Sequence, residues 1–220
     1  MFRNIIYVLV IVCALKGVST GATKQHVISF GKWTSAKWTD TTGTKLLEMR
    51  VRPLLVDTRL KEYTTGNLHE VTERLIVVRR AFRMNDASPG ENSARWQWQR
   101  GGWLLVDRVT GKVSQLTLPE FDPYYSAATW YRDYIAYCGV SDDGKKRFAL
   151  VAQLGRRRPV LKKCLGEALG SDEPDSECPA PVWARSPMQV TFAPEESPKV
   201  VFSIRGHAVN VINDDEEAEE

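Results

Sequence analysis

Apolar and polar residues alternate along most of this chain, and that alternation restricts it to strands. Leu47, Met49 and Val51 interleave with Glu48, Arg50 and Arg52, so one face of the segment is apolar and the other wet. Pro53 then ends the run or marks a sheet edge. Ile76, Val78, Phe82 and Met84 share one face of a later run that Arg80 interrupts, which predicts a bulge or an ion pair at that residue. Helical periodicity is nearly absent. The expected fold class is all-β, built from antiparallel meanders.

Turn chemistry divides the runs into hairpins. Residues 85–94 carry Ser88-Pro89-Gly90 and read as an exposed loop. Residues 103–106 lead into Thr110-Gly111 and return as residues 113–118. Residues 134–155 are the clearest unit, two β-type runs around Ser141-Asp142-Asp143-Gly144, with a third run following at 159–165. Residues 190–192, 200–204 and 208–212 complete the strands.

Three groups of runs can be laid over one another. Leu75-Ile76-Val77-Val78, Tyr134-Ile135-Ala136-Tyr137 and Val200-Val201-Phe202-Ser203 take one role. Trp103-Leu104-Leu105-Val106, Phe148-Ala149-Leu150-Val151 and Ala208-Val209-Asn210-Val211 take the next. Equivalent positions recur at roughly 45 to 65 residues, within the range of propeller-like arrays. With residues 26–63 as a degenerate first unit, about four blades are expected, the smallest number that closes a propeller. A two-sheet β-sandwich satisfies the same alternation and is the alternative fold.

In the middle group, Trp130, Asp133, residues 134–137, Asp142-Asp143-Gly144, residues 148–154 and Val160-Leu161 form a recognisable outline. It resembles the TolB-like family of β-propeller repeats, where an aromatic and a turn precede an Ile-Ala-Tyr/Phe strand, an Asp-Gly turn and two further strands. Tyr131-Arg132-Asp133 stands where that family carries Ser-Pro-Asp-Gly. The resemblance implies blade architecture and brings no catalytic residue with it.

The N-terminus reads as a secretory signal. Arg3 precedes an apolar run over residues 5–15, and the small residues Ser19, Thr20, Gly21 and Ala22 follow. That run is too short for a stable membrane anchor, and no later segment is apolar for long enough to span. Removing residues 1–22 leaves residues 23–213 as a single β-rich domain and residues 214–220 as an acidic tail. Six of the 27 acidic residues lie in that tail, so the body before it carries a modest positive excess. A solvated, disordered tail is expected, with coverage of a basic patch as the sharper alternative. No basic helix or aromatic-plus-basic module argues for nucleic acid. Secretion or a periplasmic location is the expectation.

Three cysteines lie beyond the signal segment, and an oxidising compartment favours a disulfide. Cys164 and Cys178 bracket a loop-like stretch whose closure would stabilise by about 3 kcal/mol, and they are the expected pair. Cys138, inside an apolar run, is expected to be a buried thiol. Pairing of Cys138 with Cys164 is the alternative.

Aromatic density between residues 96 and 137 is the strongest binding signal. Trp96 and Trp98 share a strand face, while Asp122, Tyr124, Tyr125, Trp130 and Tyr131 sit in a connection. Aromatic faces beside amides and carboxylates suit sugar rings or the side chains of a protein partner. Packing between sheets is the plainer use of the same residues. Asp142-Asp143-Gly144 lacks the ladder of oxygen ligands that calcium needs and reads as a hairpin turn. Arg156-Arg157-Arg158 reads as a solvated hairpin tip.

His26, His69 and His207 are far apart in sequence, and no metal-helix spacing, nucleophile elbow or phosphate-cradling loop occurs. No cofactor or metal is therefore expected. The leading expectation is an exported, non-catalytic module binding a protein or glycan through its aromatic loop surface. The alternative is a secreted glycan hydrolase with two acids drawn from Glu120, Asp122, Asp133 and Asp142.

Overall fold

A computed structural model describes residues 25–39, 46–88, 90, 93–124, 126–167, 178–194, 198–205 and 208–212. The residues read as a secretory signal, those read as an acidic tail, and Tyr125 lie outside them. The chain is all-β and antiparallel, and no helix among the described residues is long and apolar enough to cross a membrane.

The first sheet has seven strands: β1 (Ile28–Phe30), β2 (Thr34–Thr39), β3 (Leu46–Val56), β4 (Arg59–Glu70), β5 (Leu75–Asn85), β6 (Trp96–Asp107) and β7 (Val113–Leu116). The second has β8 (Ala128–Tyr131), β9 (Tyr134–Val140), β10 (Lys146–Gln153) and β11 (Leu161–Glu167). The third has β12 (Val182–Ala184), β13 (Gln189–Phe192), β14 (Val200–Arg205) and β15 (Ala208–Ile212). From β3 onward, ladder neighbours within each sheet are neighbours in sequence.

The described strands thus make three sheets where about four units were expected. Residues 26–63 do not form a unit of their own, because β4 pairs with β5 and continues the same sheet. The expected superposition also slips by one strand. Residues 134–137 belong to the second strand of their sheet, whereas residues 200–203 belong to the third of theirs.

Burial explains the near-continuous apolar run of β9. Ile135 and Tyr137 pack with Leu150 and Ala152 against Val77 and Trp103 of the first sheet. Tyr134, Ala136 and Cys138 pack with Ala149 and Val151 against Val190, Phe192, Phe202 and Ile204 of the third. The second sheet is a middle layer, so alternation of polar with apolar residues is lost there.

The first sheet coils. At one end, Leu54, Ile76, Val78, Leu104 and Val106 are enclosed with Ile28 and Phe30 of β1, all on the face turned from the second sheet. The His26 amide reaches the Arg108 carbonyl at 3.2 Å and its ring lies 2.5 Å from the Asp57 carboxylate, drawing β1 across. At the other end β2 folds over the opposite face, packing Ala36 and Trp38 with Ala81 and Trp98. Pro53 neither ends β3 nor costs a ladder bond. It falls between the segment paired with β2 and the segment paired with β1, and its carbonyl accepts the Gly31 amide at 2.9 Å. A Cβ on Gly31 would meet Pro53 Cγ at 2.4 Å, so this crossing needs a glycine.

Arg80 fulfils both expectations. The ladder slips opposite it, where β6 carries the extra residue at Gly101-Gly102, and its Nε donates to Glu62 at 3.0 Å. Trp96 and Trp98 do share a face, opposite Asn85 and Arg83.

The cysteine expectations are corrected. Cys178 pairs with Cys138, not with Cys164, across a Cα separation of 6.3 Å and 40 residues of sequence. Cys138 is therefore not a free thiol; Cys164 is, and it is exposed. The geometry of the middle sheet decides this. Cys138 lies opposite Ala149, which lies opposite Lys163, so Cys164 is two strand spacings away and on the other face. Two spacings are about 9.5 Å, beyond what a disulfide spans.

The β6–β7 turn is held by one carboxylate. Asp107 accepts Arg74 Nε at 2.9 Å and Nη2 at 2.5 Å, together with the amides of Val109 at 2.9 Å and Thr110 at 3.2 Å. The Arg74 bond, with those amides, holds its carboxyl well below the usual carboxylate range. A depressed folded-state pKa contributes stability above the unfolded value of about 4 and loses it as pH falls through the lower value. Asp107→Asn is therefore expected to melt below wild type at neutral pH, with the gap narrowing in acid below about pH 4. Thermal melts of both proteins across that range check it.

Candidate functional site

Two clefts open beside the irregular part of β4, the second of them on the face of the first sheet that carries Trp103. One, of about 450 Å³, is lined by Trp33, Trp38, Glu48, Arg50 and Arg100. The other, of about 510 Å³, is lined by His69, Arg79, Arg100, Trp103, Thr129 and Trp130. They share Thr65, Gly66, Asn67 and Arg100, and so form one groove.

The groove exists because β4 is irregular. Thr65 lies opposite Arg79 and His69 opposite Val77, so three residues of β4 face one of β5. Gly66 takes up the excess at φ 67°, a backbone conformation that favours glycine. The displaced Gly66-Asn67 segment becomes the wall common to both clefts.

Stacked aromatic and guanidinium groups build the floor. The Arg100 guanidinium lies 4.7 Å from the Trp38 ring centroid, and Trp33 sits under Arg50 at 5.1 Å and Arg52 at 4.3 Å. Such contacts fix the orientation of both partners, and Trp38 is itself buried. Burial lowers the Arg52 pKa from its ordinary value. At the far end, His69 stacks on Trp130 with centroids 5.8 Å apart, and Trp130 meets Trp103 edge to face at 5.5 Å. His69 Nε2 lies 2.7 Å from the Arg132 carbonyl, which requires the proton on that nitrogen.

The connection before β8 is packed into the same floor, and Trp130 and Tyr131, expected in that connection, instead belong to β8, paired with Ile135 and Tyr134. Arg79 donates to the carbonyls of Gly101 at 2.8 Å, Pro123 at 2.5 Å and Ser126 at 3.4 Å, and Arg100 donates to that of Tyr124 at 2.6 Å. Tyr124 meets Trp38 edge to face at 5.3 Å, and Phe121 meets Tyr137 at 5.2 Å. Asp122 accepts the Tyr124 amide at 2.6 Å and so shapes its own loop. Trp130 lines the groove directly, whereas Tyr131 leans on Trp183 at 5.6 Å, toward the third sheet. Trp98 is taken up by Tyr63 at 5.1 Å, and Trp96 stands apart, 61% exposed at the tip of the β5–β6 hairpin.

Of the acids considered for hydrolysis, Asp133 and Asp142 lie at opposite ends of β9. Asp133 precedes β9 and accepts Gln153 Nε2 at 2.8 Å, while Asp142 follows β9 at an exposed turn. A seven-residue strand separates them by roughly 20 Å, well past the spacing of a glycosidase pair. Glu120 is ion-paired to Lys162, and its carbonyl accepts the Val140 amide at 3.1 Å. Asp143 is used by the turn, accepting the Ser141 hydroxyl at 2.5 Å and the Lys145 amide at 3.1 Å. Those bonds lower its pKa from the ordinary value. Tyr137 donates to the Pro119 carbonyl at 2.7 Å, and burial, with the Glu120 charge second, pushes its hydroxyl well above the ordinary range.

Sequence reasoning missed Trp33, Trp38, Asn67, Arg79 and Arg100, and weighed His69 only as one of three dispersed histidines. Trp33 and Trp38 were open to discovery as a second aromatic cluster, and Arg79 as a charge on the inward face of an apolar strand. Comparison with protein-family models, with curated proteins and with solved structures finds no match.

Proposed function

We propose that the protein is an exported, non-catalytic binding module that lays a glycan chain along the groove from Trp33 to Trp130. The supporting observation is the composition of that groove. Tryptophan rings alternate with guanidinium groups, an exposed Asn67 amide and the Thr65 and Thr129 hydroxyls. Apolar ring faces match the C–H faces of sugars, and the polar groups match their hydroxyls. Among the described lining residues Glu48 is the one carboxylate, so the groove offers no acid pair for glycosidic cleavage.

Export rests on the leader pattern and fits the Cys138–Cys178 disulfide. The TolB-like blade reading is supported by three meanders layered face to face in chain order.

Trp33→Ala combined with Asn67→Ala is expected to weaken binding to a retained polysaccharide about tenfold, the loss of one ring contact and its hydrogen bonds. Trp96→Ala, away from the groove, should leave affinity unchanged. Affinity electrophoresis through gels containing single polysaccharides reads both. Loss on Trp96→Ala alone moves the site to the β5–β6 tip, and release of new reducing ends makes the protein a hydrolase; either result ends this reading.

A further inference from the structure

The second cleft ends at His69, whose ring is bonded to the Arg132 carbonyl. Arg132 belongs to the β8–β9 turn and is exposed at φ 54°. The β10–β11 turn is fastened beside it, because the Leu154 amide donates to the Asp133 carbonyl at 2.8 Å and Gln153 Nε2 to the Asp133 carboxylate at 2.8 Å. That second turn carries Arg156, Arg157 and Arg158, all exposed. Burial raises the Tyr134 pKa, Asp133 adds to the rise, and Arg156 and Arg132 draw it back, so both arginines stand within electrostatic reach of one ring.

Four arginines therefore lie on two adjacent turns at one end of the middle sheet, and those turns contain a single carboxylate, already engaged by Gln153. None of the four makes an ion pair with a described carboxylate, whereas Arg74, Arg80, Arg95 and Arg108 each do. Like charges on neighbouring turns repel, and apart from the Arg132 guanidinium stacked over the Tyr131 ring at 5.4 Å the four have no described partner that offsets this. All four are arginine, whose planar fork matches the paired oxygens of carboxylate and sulfate groups.

We propose that the β8–β9 and β10–β11 turns form an arginine surface that docks the acidic groups of a polysaccharide whose neighbouring rings lie in the groove. The partner's class rests on the glycan reading of the groove, with which this surface is continuous at His69 and Arg132. The groove takes ring faces, and the arginines select chains that bear carboxylate or sulfate.

The test compares wild type, Arg156→Ser/Arg157→Ser/Arg158→Ser and Trp33→Ala on heparin, polygalacturonate and phosphatidylglycerol vesicles over a salt series. The substituted arginines are exposed, and unchanged melting temperatures establish that the variant is folded. The triple variant is expected to bind both acidic polysaccharides at least tenfold more weakly, with a shallower dependence on salt. Undiminished affinity of the triple variant for both overturns the proposal. So does arginine-dependent binding of wild type to the vesicles without binding to either polysaccharide, which assigns the surface to lipid. If Trp33→Ala leaves acidic-polysaccharide binding intact while the triple variant loses it, the groove reading fails and the arginine surface stands. If Trp33→Ala loses that binding while the triple variant keeps it, the groove stands and the arginine surface fails.

Discussion

Phe202→Ala is expected to lower the free energy of unfolding by about 4 kcal/mol, measured by urea denaturation at neutral pH. Phe202 is fully buried in β14 and meets Phe192 edge to face at 5.9 Å. Around it lie Ala149 and Val151 of the second sheet and Val190 and Ile204 of the third. Truncation removes the transfer free energy of the ring and leaves a cavity between two layers. Neither layer is free to close it, since Phe202 is locked in register opposite Val190 and Val211. A site that cannot collapse sits at the costly end of the large-to-small range. A loss below about 1.5 kcal/mol would be that of a surface change, and the third sheet would not then be packed on the second.

Cys138→Ala with Cys178→Ala should cost about 4 kcal/mol, the chain-entropy value for a loop of roughly 40 residues. The bond ties β9, in the middle of the stack, to the segment that leads into β12. Cys164→Ala is expected to change stability by less than about 0.5 kcal/mol, as for an exposed side chain whose thiol makes only a local bond to the Gly166 carbonyl at 3.8 Å. Peptide mapping under non-reducing conditions should recover residue 138 joined to residue 178. A large loss on Cys164→Ala, or a recovered 164–178 peptide, would reverse the assignment.

The alternation in residues 47–52, the Thr110-Gly111 turn and the hairpin around Gly144 were legible because each is local. Their information lies within one or two turns of chain, and β3, β6–β7 and β9–β10 follow from it. The disulfide was not legible. Its partner depends on which face of β9 carries Cys138, and that face has meaning only once the third sheet is known to lie against it. The repeat misled for a related reason. Apolar runs look alike in second and third strands, and the pairing of β4 with β5 that merges two expected units is a tertiary choice. The groove draws on residues from Trp33 to Trp130, brought together by a bulge in β4 that no residue type announces except Gly66. Of the aromatic connection, position and packing were half visible. Large aromatics there needed burial or use, and Tyr124 and Trp130 show packing and groove lining side by side.

From β3 onward, ladder partners are neighbours in sequence, and this gives the chain an order of assembly. A polypeptide made from its N-terminus has the whole first sheet available before Ala128 is joined, and the second before Val182. Short loops close quickly, so each sheet has its hydrogen-bond partners without waiting for distant chain. The Cys138 thiol, by contrast, has to wait. It is set into its strand, facing the space the third sheet will fill, until Cys178 arrives to close the bond. Cys178 comes just ahead of β12, so the bond can close before the third sheet is made, and the disulfide then acts as a mooring that starts the third layer beside the second.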